Sequence, residues 1–213
     1  MKERPILSTP ENAQKMHDGK KVQTRRTNRL DEVNNCKHWD YPQMTRPGIA
    51  TFLDSTQANP YNNALDVKCP YGQVGDRLWI REAFCLCGKE GSKKPLYHGQ
   101  CEEYKSLKPI WNPSLHMPRW ACRTVVELTD IRVERVQEIS EEDCIAEGVE
   151  LLEGSYNPDD FTGLWKNYDR RQSAEYWNSP IDSYHSLWAS INGQDSWAQN
   201  PFCWVLTFRK VDA

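Results

Sequence analysis

No run of about 18 apolar residues occurs anywhere in the 213-residue chain, so no segment is suited to cross a bilayer as a helix, and no membrane partner is expected. Met1-Lys2-Glu3-Arg4-Pro5 lacks the apolar core of a signal peptide, and the expected location is the cytoplasm. A basic excess is missing too. With a net charge of -3 and a pI near 6.0, the chain is a poor candidate for gripping duplex DNA through bulk electrostatics, so any nucleic-acid contact should be local. The paired cysteine knuckles of a structural zinc site are also lacking. The nearest approaches are Cys85-x-Cys87 with His98 and Cys101, and Cys36-x-His38; their spacing argues against zinc, and neither metal nor cofactor is expected. In a reducing compartment the eight cysteines serve mainly as small buried apolar groups.

What is present is an aromatic-rich globule of nine tryptophans, large enough to bury a core without staples and expected to form one domain with elaborations. Its basic residues gather early, at Lys15, Lys20, Lys21, Arg25, Arg26 and Arg29, and the sign reverses between Glu138 and Asp160. Thr9-Pro10 reads as an N-cap followed by proline at the first helical position, and Gly19 as the left-handed stop. Lys21 then lies just past a helix end. If 22–26 is extended, Thr24 and Arg26 share a side, and Lys21 reaches them only where the chain bends after Gly19. Read without further context, the same residues make a solvated basic turn.

The spacing Gly19-x-Lys21-x-x-Thr24-x-Arg26 resembles the signature of the ASCH domain, a family related to the RNA-binding PUA domains. Three later stretches run in the family's order. Gly75-Asp76-Arg77-Leu78 resembles its G-D-x-L strand entry. Pro70-Tyr71-Gly72 through Arg81-Glu82, and Trp111-Asn112-Pro113-Ser114-Leu115-His116-Met117-Pro118-Arg119-Trp120, resemble longer phage and prophage members, for which the location would be the host cytoplasm. The final run from Phe202 to Phe208 matches the closing strand. The resemblance implies an α+β, mainly β fold: a small PUA-like barrel with flanking helices, a C-terminal helix-strand extension and two long loop insertions at about 27–70 and 85–118.

Residue patterns fill in the rest. Arg4 to Ser8 reads as a short strand. The stretch 27–70 is polar, rich in Asn and Pro, and keeps no period of 2 or 3.6, so it reads as a long loop. Its Trp39, Tyr41, Phe52 and Tyr61 either stack on bases or pin the loop to the barrel. From Val74 to Glu82 a strand places Leu78 and Ile80 on one face and Arg77, Trp79 and Arg81 on the other. Prolines 113 and 118 exclude a regular helix there. Residues 120–136 read as a hairpin turning at Thr129-Asp130, and Ser140 opens a short capped helix ending at Gly148. Ser179-Pro180 opens another, with Tyr184, Leu187, Trp188 and Ile191 as its core face before Gly193. The stretch 150–179 carries no clear pattern.

The ASCH amidohydrolases remove the acyl group from N(4)-acetylcytidine, and by resemblance the catalytic set here is Lys21, Thr24 and Glu147, the last closing the post-hairpin helix. Arg26, Glu82, His116 and Arg119 are the candidate substrate contacts. Without the resemblance, Glu82 reads as a partner for Arg81, His116 as a satisfied histidine and Glu147 as an exposed helix terminus. The expected partner is a modified nucleoside or single-stranded nucleic acid. Two alternatives stand beside the hydrolase: a non-catalytic reader of modified bases or single-stranded nucleic acid, and a ribonuclease.

Overall fold

The structure is a computed structural model and describes residues 1–87, 94–98, 110–153, 163–169, 171 and 175–211. In chain order the elements are β1 (Glu3–Leu7), α1 (Pro10–His17), β2 (Gln23–Arg26), α2 (Asp31–Asn35), β3 (Trp39–Arg46), β4 (Ile49–Asp54), β5 (Ala64–Lys68) and β6 (Arg77–Arg81). They continue with β7 (Phe84–Cys87), β8 (Lys94–Tyr97), β9 (Val125–Arg135), α3 (Glu141–Ala146), β10 (Leu151–Glu153), β11 (Leu164–Lys166), β12 (Tyr176–Trp177), α4 (Pro180–Asn192) and β13 (Phe202–Val211).

The centre is a five-stranded sheet of order β1-β6-β9-β13-β2. Its two edges, β1 and β2, do not pair with each other, so the sheet is open and the expected closed barrel is not formed. The mainly β, mixed character is as expected. The unbroken apolar run of β13 predicts burial on both faces. Trp204 and Leu206 enter one core with Ile6, Met16, Leu78 and Phe52, while Cys203 and Val205 enter a second with α3 and α4. Fully burying a side chain such as Leu206 contributes about 1.5–3 kcal/mol, and β13 makes such contributions to both cores.

Four expectations need correction. The stretch 27–70 is no loop: it holds α2 and an antiparallel sheet β3-β4-β5 that packs on the first core, with the Phe52 ring edge-on to Phe202 at 5.2 Å. Its periodicity is hidden because β3 carries two register shifts and Pro42, and Tyr41 sits at φ +50. Pro47-Gly48 makes the two-residue hairpin connection, with Gly48 at φ +69. Trp39 and Phe52 are buried, while Tyr41 and Tyr61 are exposed.

Residues 125–135 form one 11-residue strand, not a hairpin. Leu128 pairs with Phe208 and Asp130 with Thr207, leaving Thr129 as the extra residue of a bulge. The bulge moves burial from even positions (Val126, Leu128) to odd ones (Ile131), the parity change that mimics a turn in the sequence. Within 85–118, β7 and β8 pair antiparallel and Ser114–His116 form a 3-10 turn. Along α4, Tyr184, Leu187 and Trp188 are core, but Ile191 is half exposed.

The stretch 150–179, which has no readable pattern, contributes the small sheet β10-β11-β12. No helix among the described residues is long and apolar enough to cross a membrane.

Candidate functional site

Two helix ends meet beside β2. Thr9 caps α1 by accepting the Asn12 N–H, Pro10 takes the first helical position, and the chain leaves at Gly19 with φ +73. The amides of Lys20 and Lys21 then donate back to the Lys15 carbonyl at 2.8 and 3.2 Å, which produces the bend the spacing calls for. Ser140 caps α3 through the Asp143 N–H, and Glu147 and Gly148 end it, Gly148 at φ +83. Val22 N–H donates to the Ala146 carbonyl at 2.9 Å, and Lys15 Nζ to the Gly148 carbonyl at 2.9 Å, so the two ends are stapled together.

Lys21 is thereby driven inward, to 2% exposure. Its Nζ donates to the Glu147 carbonyl at 2.6 Å and to the Glu147 Oε2, an ion pair in which both side chains are buried. Burial pushes the Lys21 amine below its ordinary range; Glu147 pulls it back up, and Arg26 and Lys15 add to the lowering. A cleft of about 120 Å³ lies here, lined by Lys21, Thr24, Arg26, Glu147, Trp188 and Asn192 among others. At ~30 Å³ per liquid water, this holds on the order of four waters, enough for an acyl amide group.

The strand register explains the lining. Thr24 and Arg26 pair with Leu206 and Trp204 and share their side of the sheet, whereas Gln23 and Arg25 pair with Thr207 and Val205 and face α3 and α4. Arg26 Nη2 donates to the Leu7 carbonyl at 2.8 Å, and its buried Nε has no hydrogen-bond partner among the described residues. The cleft therefore lies at the β2 edge and is reached from both faces. It shares Thr9, Asn12, Leu187 and Ile191 with a broader depression of about 780 Å³.

Of the sequence-expected site residues, Lys21, Thr24, Arg26 and Glu147 line this one cleft, and Glu82, His116 and Arg119 do not. Glu82 is completely buried and receives a two-pronged bond from Arg123, Nε to Oε1 at 2.8 Å and Nη2 to Oε2 at 2.9 Å; its partner is not Arg81, which lies over the Trp79 ring. His116 is exposed on the 3-10 turn. Arg119 pairs with Glu3 at 3.0 Å, far down the β1 side. Their assignment to the cleft is corrected: Glu82 follows β6 directly and is taken up by Arg123, while His116 and Arg119 ride on the crossing around Pro113 and Pro118, whose Met117 enters a third small core with Phe84 and Tyr97.

Arg25 is the cleft-lining side chain that sequence reasoning left out of the candidate site. Its side chain is fully buried and reaches Asp143 at 2.6 Å, Glu134 at 3.1 Å and Glu147 Oε1 at 3.4 Å. Burial disfavours its charge, but Glu147 and the surrounding groups hold the guanidinium firmly protonated. The available signal was strand alternation, which turns position 25 away from Thr24 and toward the acidic first turn of α3.

Among the described residues, no three His, Cys, Asp or Glu side chains gather as a metal site. His98 stacks on Trp111 at 3.8 Å, and Cys101 lies outside the described residues. The seven described cysteines are free thiols. Comparison with protein families, with curated proteins and with solved structures returned no match.

Proposed function

We propose that the chain is a metal-independent amidohydrolase of ASCH type, cleaving the exocyclic amide of an N-acylated pyrimidine nucleoside or base such as N(4)-acetylcytidine. The observation that carries this reading is the buried Lys21–Glu147 pair in a cleft that Thr24 and Arg26 also line. A threonine hydroxyl is a weak nucleophile until a base removes its proton, and an amine whose proton affinity is lowered by burial is such a base. Lys21 takes the Thr24 proton as Oγ1 bonds to the acyl carbon. The carbonyl electrons move onto oxygen, where Arg26 has an uncommitted Nε–H to offer. Collapse breaks the C–N bond, the proton passes from Lys21 to the departing nitrogen, and water cleaves the acyl-threonine ester. Attack by water activated at Lys21 fits the same residues. Glu147 orients the amine throughout.

The test is turnover of N(4)-acetylcytidine followed by mass change. The wild type should release cytidine and acetate. Thr24→Ala should reduce the rate to background while its circular dichroism and urea midpoint stay at wild-type values; an undiminished rate in that folded variant overturns the nucleophile assignment.

A second reading, a module that binds single-stranded nucleic acid, has its own support in Tyr41 and Tyr61, which stay exposed on the β3-β4-β5 side when Trp39 and Phe52 are buried. Salt-dependent binding of an oligonucleotide without any product would favour it; a ribonuclease would shorten the oligonucleotide instead.

A further inference from the structure

The four signature positions leave Arg25 out, yet it is the most heavily engaged cation beside the cleft. Three carboxylates surround it, and they are not equivalent. Asp143 is also held by Arg132 and by Gln23 Nε2 at 2.9 Å, and Glu134 is also held by Arg132. Both would keep a partner if Arg25 were absent. Glu147 differs: among the described residues its carboxylate has only Lys21 on Oε2 and Arg25 on Oε1. It is also the one of the three that lines the cleft. Arg25 is itself fixed, since Nη1 donates to Gln23 Oε1 at 2.6 Å and its guanidinium lies 5.9 Å from the Tyr184 ring.

We infer that Arg25 is the positioning residue of this site: it holds Glu147 by one oxygen so that the other faces Lys21, and it limits how much of the carboxylate's charge reaches the amine. The inference rests on the hydrolase reading for its kinetic consequence, but its electrostatic consequence does not. Charged or titratable groups set around Lys21 and its partner are Glu147 and Cys144 from α3 and its end, Arg25 and Arg26 from β2, Lys15 from α1, Tyr184 from α4 and Cys203 from β13. Removing the positive Arg25 leaves the carboxylate to Lys21 alone, so the amine holds its proton to higher pH. A general base must lose that proton to act, so the rising limb of the pH–rate profile moves the same way.

The experiment uses the full chain with Arg25→Gln and Arg25→Lys. Two readouts are taken: the Lys21 Nζ titration by NMR of isotope-labelled lysine, assigned with Lys21→Met, and the pH profile of N(4)-acetylcytidine turnover. Arg25→Gln should shift both upward by about one pH unit. It should also lower kcat by about 10²-fold with little change in KM, the mark of a misplaced catalytic group. Arg25→Lys keeps the charge without the fork, so both effects should be smaller. A folded Arg25→Gln with an unmoved Lys21 titration overturns the inference. Should Arg25→Gln fail to fold, Arg25→Lys decides alone, and wild-type kcat and titration there overturn it equally. If the wild type proves inactive on every acylated nucleoside, the hydrolase reading falls, and the Lys21 titration still tests Arg25.

Discussion

Glu147→Gln removes the anion shared by two buried cations, and the cost follows from where they sit. Lys21 and Arg25 are both out of water, so neither can recover hydration when their partner loses its charge. Breaking a buried pair from one side costs about 3–5 kcal/mol, and the urea midpoint should fall accordingly. Adding Lys21→Met to Glu147→Gln should regain part of the loss, leaving a coupling of about 1 kcal/mol or more in the double-mutant cycle. Additive single effects would mean that the pair does not exist in solution. At this scale the spacing of Lys21, Thr24 and Arg26 was readable, because a helix stop followed by a strand fixes which side each residue takes. Glu147 came through family resemblance, since 126 positions separate it from Lys21 and no local pattern links them. Arg25 was hidden for a different reason: in sequence it belongs to a basic turn, and only strand β13 on one side and α3 on the other reveal that its face is closed.

The two stapled helix ends are the element that makes the pair possible, and Gly148 is their tightest point. At φ +83, a side chain there already costs about 1–2 kcal/mol. A Cβ would in addition stand 3.1 Å from Lys21 Cβ and 3.4 Å from Lys15 Cδ and the Lys20 carbonyl. Gly148→Ala should therefore lose both stability and turnover, because the crowded atoms belong to Lys21, the base in the proposed reaction, and its neighbours. Gly75→Ala is the matched control: φ is +87 but nothing lies within 4 Å of the new Cβ, so stability should drop with turnover intact. Equal turnover in the two variants would show that Lys21 is not held by this approach. Elements with clean caps were legible in the sequence, namely α1, α3 and α4. Those whose alternation is broken were not. The Thr129 bulge in β9 and the irregular β3 both reverse parity midway, and a reversal of parity looks like a turn when no partner strand is in view.

Over the whole molecule, the ionisable groups that folding perturbs set limits on stability at both ends of the pH scale. Burial pushes the Glu150 carboxyl up, but hydrogen bonds from Lys15 and Lys166 outweigh it and bring it down from 4.5 to about 2. Asp143 is lowered in the same sense, with Gln23 and Arg25 overcoming its burial. A carboxylate depressed in the folded state contributes stability above its unfolded value, and that contribution is lost as pH falls from about 4.5 toward 2. On the alkaline side burial raises Cys69 to about 11, and Cys203 and Tyr97 to about 12. Their unfolded counterparts ionise first, so stability present below the ordinary thiol value of 9.0 is lost as pH rises through 11 to 12. Lys21 works in the opposite direction, since its lowered amine leaves the unfolded chain binding the extra proton below 10.5. One lysine against three raised acids does not reverse the trend. Urea midpoints measured from pH 2 to 11 should form a plateau with a fall on each side. The acid limb is the sharper test, because Glu150 ties α1 to β11 through Lys15 at 2.7 Å and Lys166 at 3.1 Å. Glu150→Gln should lower the plateau and make the fall below pH 4.5 shallower than in the wild type. A parallel acid limb in that variant would move the origin of acid sensitivity away from this lysine-bridged contact and onto Asp143 and Asp54, whose carboxyls folding also depresses.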